Sequence, residues 1–144
     1  MARAGAAPRH GSFPTTADVG IWATAPTPSA LFEGLGQALF AVMTDLRKVR
    51  PRESRNVEAS GEDLTSLVVA YLGALLLLEQ DDGFVGRSIH ARTLGDPPTA
   101  VLATVNGERL DPARHVLRKE VKAVTLHQLS VGLNPPSARV ILDI

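Results

Sequence analysis

Between Leu64 and Leu75 the chain reads LTSLVVAYLGAL, and Leu64, Leu67, Val68, Tyr71, Leu72 and Leu75 recur at the spacing of one helical face. It is the most regular such stripe in the sequence. A stripe of this width commits the segment to an amphipathic helix whose apolar face must be buried, so the rest of the chain has to supply a layer to cover it. The apolar run Leu67 to Leu78 is well short of the roughly 20 residues that span a bilayer, which reads as a core helix. Ser60 followed by Asp63 resembles a capping box at its start.

A second helix is expected in SALFEGLGQALFAVMTD, where Leu31, Leu35, Leu39 and Val42 share a face that Phe32 and Ala38 widen, despite two glycines. The remaining segments read as strands. Val19 to Thr24 is β-branched and aromatic and is closed by Pro26 and Pro28; RNVEAS precedes the regular helix; DDG, residues 81–83, turns the chain into FVGRSIHARTL. AVLATV is expected to stop at Asn106-Gly107, a pair that commonly turns a chain. After the loop ERLDPARH, VKAVTLHQLSV and ARVILDI form two last strands separated by GLNPPS. Strand, helix, strand, helix and four strands predict an α+β fold with both helices on one face of a mixed sheet. Residues 1–13 show no periodicity and are expected to be a disordered tail, with one domain over 14–144.

Fifteen basic and fifteen acidic side chains cancel, so no field of one sign draws nucleic acid or anionic membrane to the molecule as a whole. Any contact with RNA is then local or indirect. LRKVRPRESR, residues 46–55, gathers five arginine or lysine residues and is either a solvated loop or a local basic patch. The chain has no cysteine, which fits a reducing compartment, and its first ten residues lack the apolar segment of a secretory signal. A cytoplasmic location is expected.

The common catalytic signatures fail. GLGQAL begins like a dinucleotide fingerprint but ends in leucine inside a helical stripe, and GFVGRS has neither the lysine nor the spacing of a phosphate loop. Histidines 10, 90, 115 and 127 are too far apart for a local zinc motif, and no serine elbow occurs. A self-sufficient enzyme is not expected, and no catalytic residue is assigned. What remains is acidic: Asp18 at the entrance to the first strand, Asp143 at the end of the last, and Ile144 with the terminal carboxylate. If those strands lie side by side the carboxyl groups converge and favour a hard cation such as magnesium, calcium or manganese over zinc. Otherwise Asp18 caps a turn and Asp143 is solvated. Asp111 and Pro112 start a turn that Arg114 and His115 end, and Glu120 and Lys122 are expected on one side of a strand, as an ion pair or a partner contact.

TTADVGI, GERLDPARHVLRKEVKAVTLHQL and ARVILDI, in that order and with ALFAVMTDLRKVRPRE and EDLTSLVVAYLGALLL between them, resemble the archease family. The resemblance implies a compact fold of the strand-helix-strand-strand type and a small non-catalytic activator of the GTP-dependent tRNA-splicing ligase RtcB. Such an activator promotes guanylylation of a ligase histidine and restores turnover. It further implies a divalent cation (calcium, magnesium or manganese) bound through the acids matching Asp18 and Asp143. The block around RHVLRKEVKA would carry partner function, Glu120 most directly, then Lys122 and Arg114, with His115 and Asp111 beside them. The partner would be the ligase itself, with RNA met only indirectly or weakly and neither membrane nor DNA involved. Two positions depart from the family pattern: Thr15 stands for a usual histidine and Leu126 for a usual aromatic residue. The competing expectations are a metal-dependent hydrolase or nuclease using Asp18 and Asp143, and a metal-free protein-binding module.

Overall fold

The computed structural model describes residues 7–15 and 18–144. In chain order its elements are β1 (Arg9–Pro14), β2 (Val19–Thr24), α1 (Pro28–Met43), a 3-10 turn (Leu46–Lys48), β3 (Glu53–Ser60), α2 (Leu64–Asp82), β4 (Phe84–Leu94), β5 (Ala100–Arg109), β6 (Ala123–Leu133) and β7 (Pro136–Asp143). The fold is α+β with two helices, as expected. Its strands resolve into two sheets, of order β1-β2-β7-β6 and β3-β5-β4, with every described pairing antiparallel. Short connections explain this for β1–β2, β4–β5 and β6–β7, because only hairpins can join neighbours over so few residues.

Each helix touches both sheets: α1 packs on β2 and β4, and α2 on β3 and β6. The stripe of α1 is buried throughout, and Pro28 opens the helix behind Thr27, whose side chain accepts from the Ala30 amide at 3.1 Å. Gly36 is needed where α1 crosses the core, since a Cβ there would meet Ile89 and would lie 2.8 Å from a Leu75 methyl. In α2, Leu67, Val68, Tyr71, Leu72 and Leu75 are fully buried. At 19 residues and a mean hydropathy of 1.4, α2 is long and apolar enough to cross a membrane by length and composition, yet its stripe lies against the two sheets.

Four expectations are corrected. The cap of α2 is Asp63 rather than Ser60: the Asp63 carboxylate accepts from the Ser66 amide at 2.8 Å and the Ser66 hydroxyl accepts from the Asp63 amide at 3.2 Å, while Ser60 still pairs with Ala100 in the sheet. Residues 9–13, expected in a disordered tail, belong to β1, which pairs with β2; residues 1–6 lie outside the described residues. The strand escaped notice because its aromatic partners face glycines: Gly11 opposes Trp22 and Phe13 opposes Gly20. Asn106-Gly107 does not turn the chain, since β5 continues to Arg109. Gly107 serves close approach instead, because a Cβ there would run into the Val85 carbonyl oxygen. Finally, β6 begins only at Ala123, so Glu120 and Lys122 precede the strand, both exposed and flanking Val121, which is 1% exposed.

Candidate functional site

The pairing of β2 with β7 ends with Val19 opposite Leu142, so Asp18, just before β2, and Asp143, the last residue of β7, are the next residues beyond that pair. Asp143 is also opposite Ala123 of β6, and its carbonyl accepts from the Lys122 amide at 2.7 Å. The first and last hairpins of the chain thus meet at the centre of one sheet, and the two aspartates stand at the end of that seam. Asp18 is partly buried and Asp143 exposed. Thr15 holds the turn ahead of β2: its hydroxyl accepts from the Asp18 amide at 3.0 Å, and its amide donates to the Asp18 carbonyl at 3.3 Å. Thr15 therefore fixes the backbone of Asp18.

Asp18 and Ile144 line one cavity of about 420 Å³, together with Thr15 and Lys119. Among the described residues no three His, Cys, Asp or Glu side chains converge on a metal position. A cation here would be held by Asp18, Asp143 and the carboxylate of Ile144, with water or a partner's oxygens completing its shell. An oxygen-only donor set with few protein ligands fits magnesium, manganese or calcium rather than zinc. Lys119 was not singled out by sequence reasoning, since in RKEVK it reads as one more charge in a run.

Three of the expected partner residues serve another purpose. His115 and Glu108 are buried, and His115 Nε2 lies 3.0 Å from Glu108 Oε2. The Asp111 amide donates to His115 Nδ1 at 2.8 Å, so Nε2 carries the hydrogen and donates it to Glu108. The Arg114 guanidinium pairs with the other Glu108 oxygen, and the Arg50 amide donates to Oε2 at 2.6 Å. Burial pushes the Glu108 carboxyl up, but the hydrogen bonds from Arg114, Arg50 and His115 outweigh it and hold the carboxyl down at about 2. Asp111 also accepts from the Ala113 amide at 2.9 Å, a side-chain turn. Glu108, at the end of β5, gives no signal in the sequence: a lone glutamate in a strand does not show that a loop after it and a loop far before it fold back onto its carboxylate.

Glu120 and Lys122 remain free for other contacts, next to the aspartate seam. Glu120 shares a groove of about 400 Å³ with Glu79, Leu117 and Lys119, and burial together with the Glu120 charge pushes the Glu79 carboxyl up. Arg118 and Lys119 donate backbone hydrogen bonds to Met43 and Val42 at the end of α1, which lays this segment across the helix terminus. Further on, β6 bulges: Thr125 pairs with Ile141 and Ser130 with Arg139, so residues 126–129 face a single partner residue. Gln128 takes φ of 53° there, and Leu126 is 63% exposed.

Comparison with known proteins agrees with this architecture. Residues 11–144 match the Archease protein family (MTH1598/TM1083). The chain is similar to Protein archease of Thermococcus gammatolerans, 38% identical over 83% of this chain and 85% of that one, and of Pyrococcus abyssi, 36% identical with the same coverage. Protein archease of Methanothermobacter thermautotrophicus is 35% identical over 92% of this chain and 96% of its own. The solution structure of Methanobacterium thermoautotrophicum protein 1598 superimposes with a TM-score of 0.78 at 33% identity, covering 94% of this chain and 98% of that one. The chain belongs to the archease family.

Proposed function

We propose that this chain is a non-catalytic, cation-binding activator of a GTP-dependent RNA ligase of the RtcB type, promoting guanylylation of the ligase histidine and its repeated turnover in tRNA splicing or RNA repair in the cytoplasm. The observation that carries the reading is the β2–β7 register, whose last pair, Val19 opposite Leu142, leaves Asp18 and Asp143 as the next residue on each side. Family membership supports it, and so do the exposed charges of Glu120 and Lys122 beside that end. A bound divalent ion would supply a compact positive charge there. Asp18, just before β2, and Asp143, at the end of β7, would hold it, with Ile144 adding its carboxylate. Lys122 is fixed to Asp143 through its amide, so its side chain and that of Glu120 are presented from backbone anchored to the seam. Glu108, His115, Arg114 and Asp111 would keep the preceding turn in place without touching the partner.

The test mixes the purified chain with an RtcB-type ligase and GTP and follows covalent guanylate on the ligase. Wild type should accelerate it, whereas Asp18→Ala and Asp143→Ala should lose the stimulation and keep the wild-type melting temperature. Undiminished stimulation by both variants would sink the proposal. RNA cleavage by the chain alone, without ligase, would favour the hydrolase reading instead.

A further inference from the structure

The basic loop at residues 46–52 is more tightly held than a solvated loop requires. Arg87 of β4 donates from one guanidinium nitrogen to the carbonyls of Leu46 and Arg47, each at 3.0 Å, and of Val49 at 3.4 Å. Arg114 donates to the Lys48 carbonyl at 3.2 Å, and the buried Glu108 takes the Arg50 amide. Val49 is sunk into the core at 2% exposure, and the Arg52 amide closes on the Arg50 carbonyl at 2.9 Å around Pro51, a three-residue turn. Three side chains remote in sequence therefore engage the loop backbone, and its carbonyls, the groups that would repel an anion, face two guanidinium groups. Lys48, Arg50 and Arg52 are exposed and make no ion pair among the described residues, while Arg47 is tied to Asp45.

We propose that this loop is a preorganised binding edge for the phosphate backbone of RNA, reached through Lys48, Arg50 and Arg52. A chain of zero formal charge that holds three unpaired cations on one braced loop can bind a polyanion locally without attracting it everywhere. A protein partner is disfavoured because the loop offers no large exposed apolar anchor, and protein interfaces draw most of their affinity from such anchors. Phosphate contacts need only positive charge and donors, and the arginine fork suits phosphate oxygens. The loop has no aromatic side chain for bases to stack on, so binding should be insensitive to sequence. The choice of RNA over DNA rests on the activator reading above, but binding is measured without any ligase, so the two can fail separately.

The experiment is fluorescence anisotropy of a short labelled single-stranded RNA titrated with the full chain over a series of salt concentrations. Three phosphate contacts on a single strand predict a log–log salt slope of about −2. The charge reversal Lys48→Glu/Arg50→Glu/Arg52→Glu should weaken binding roughly tenfold or more at low salt and flatten that slope. The neutral triple variant Lys48→Ala/Arg50→Ala/Arg52→Ala should fall between, with a melting curve like wild type, while Arg92→Glu near the far end of β4 should bind as wild type. The proposal is overturned if wild type does not bind RNA at low salt or if both triple variants bind as wild type does. It is equally overturned if the triple variants keep RNA binding and lose only binding to an acidic polypeptide.

Discussion

Glu108 and His115 sit 3.0 Å apart inside the protein, and the carboxylate oxygen that takes the imidazole hydrogen also takes the Arg50 amide. One buried acid thus joins the basic loop, the Asp111 turn and the end of β5. Removing one partner of a buried charged cluster strands the others, so Glu108→Ala should cost about 3 kcal/mol in urea unfolding. The pH dependence has a definite sign. The folded carboxyl is held down at about 2 against an ordinary value of 4.5, so its contribution is fully present above pH 4.5 and is lost as pH falls from there toward 2. Calorimetric melting of wild type should fall steeply through that window and that of Glu108→Gln more shallowly. Parallel curves would show that the carboxylate contributes nothing. The Asp45 carboxyl, held well below its usual range chiefly by its hydrogen bond to Arg47, leaves a residual slope in both.

The aspartate seam predicts a ligand effect that needs no ligase. A cation that binds only the folded chain stabilises it by about 2.7 kcal/mol at a hundred times its dissociation constant. Melting in millimolar manganese, calcium or magnesium should therefore rise for wild type and stay unchanged for Asp18→Asn and Asp143→Asn. A wild-type curve indifferent to all three ions would remove the metal from the proposed function, and an equal rise in the variants would move it elsewhere in the molecule.

Local patterns carried the helices into view, and the non-local contacts were hidden for identifiable reasons. The stripes of α1 and α2 were legible because burial on one helical face imposes a period that no other constraint disturbs. β1 was not, because RHGSFP places Gly11 opposite Trp22 and Phe13 opposite Gly20, so its apolar surface lies on the partner strand as much as on itself. Gly107 misled for the opposite reason. A glycine that signals a turn in isolation was kept for close approach to Val85, next to a bulge between Gly86 and Ser88. The adjacency of β2 and β7, which sets Val19 opposite Leu142, could be read only as a condition, since register between the first and last hairpins is a property of the whole sheet. Glu108 shows the same limit more sharply, as it is meaningful only beside Arg50, Arg114 and His115.

Among the described residues, one buried side-chain polar atom has no partner, and it yields the last prediction. Tyr71 is fully buried, with its ring edge-on to Phe32 at 5.1 Å, but its hydroxyl has no hydrogen-bond partner among the described residues. Burial, reinforced by the charge of Glu33, pushes the phenol far above its ordinary value, so the group is neutral at any working pH. A buried hydroxyl left unmet carries a penalty of about 1–3 kcal/mol, whereas the ring's packing does not depend on the oxygen. Tyr71→Phe should then raise stability by up to about 1 kcal/mol, the void left by one oxygen offsetting part of the gain. Tyr71→Leu, which gives up the edge-on contact, should lower it by a comparable amount or more. Urea unfolding at neutral pH compares the three chains directly. A Phe variant less stable than wild type by about 1 kcal/mol or more would mean that the hydroxyl is hydrogen-bonded in the folded protein.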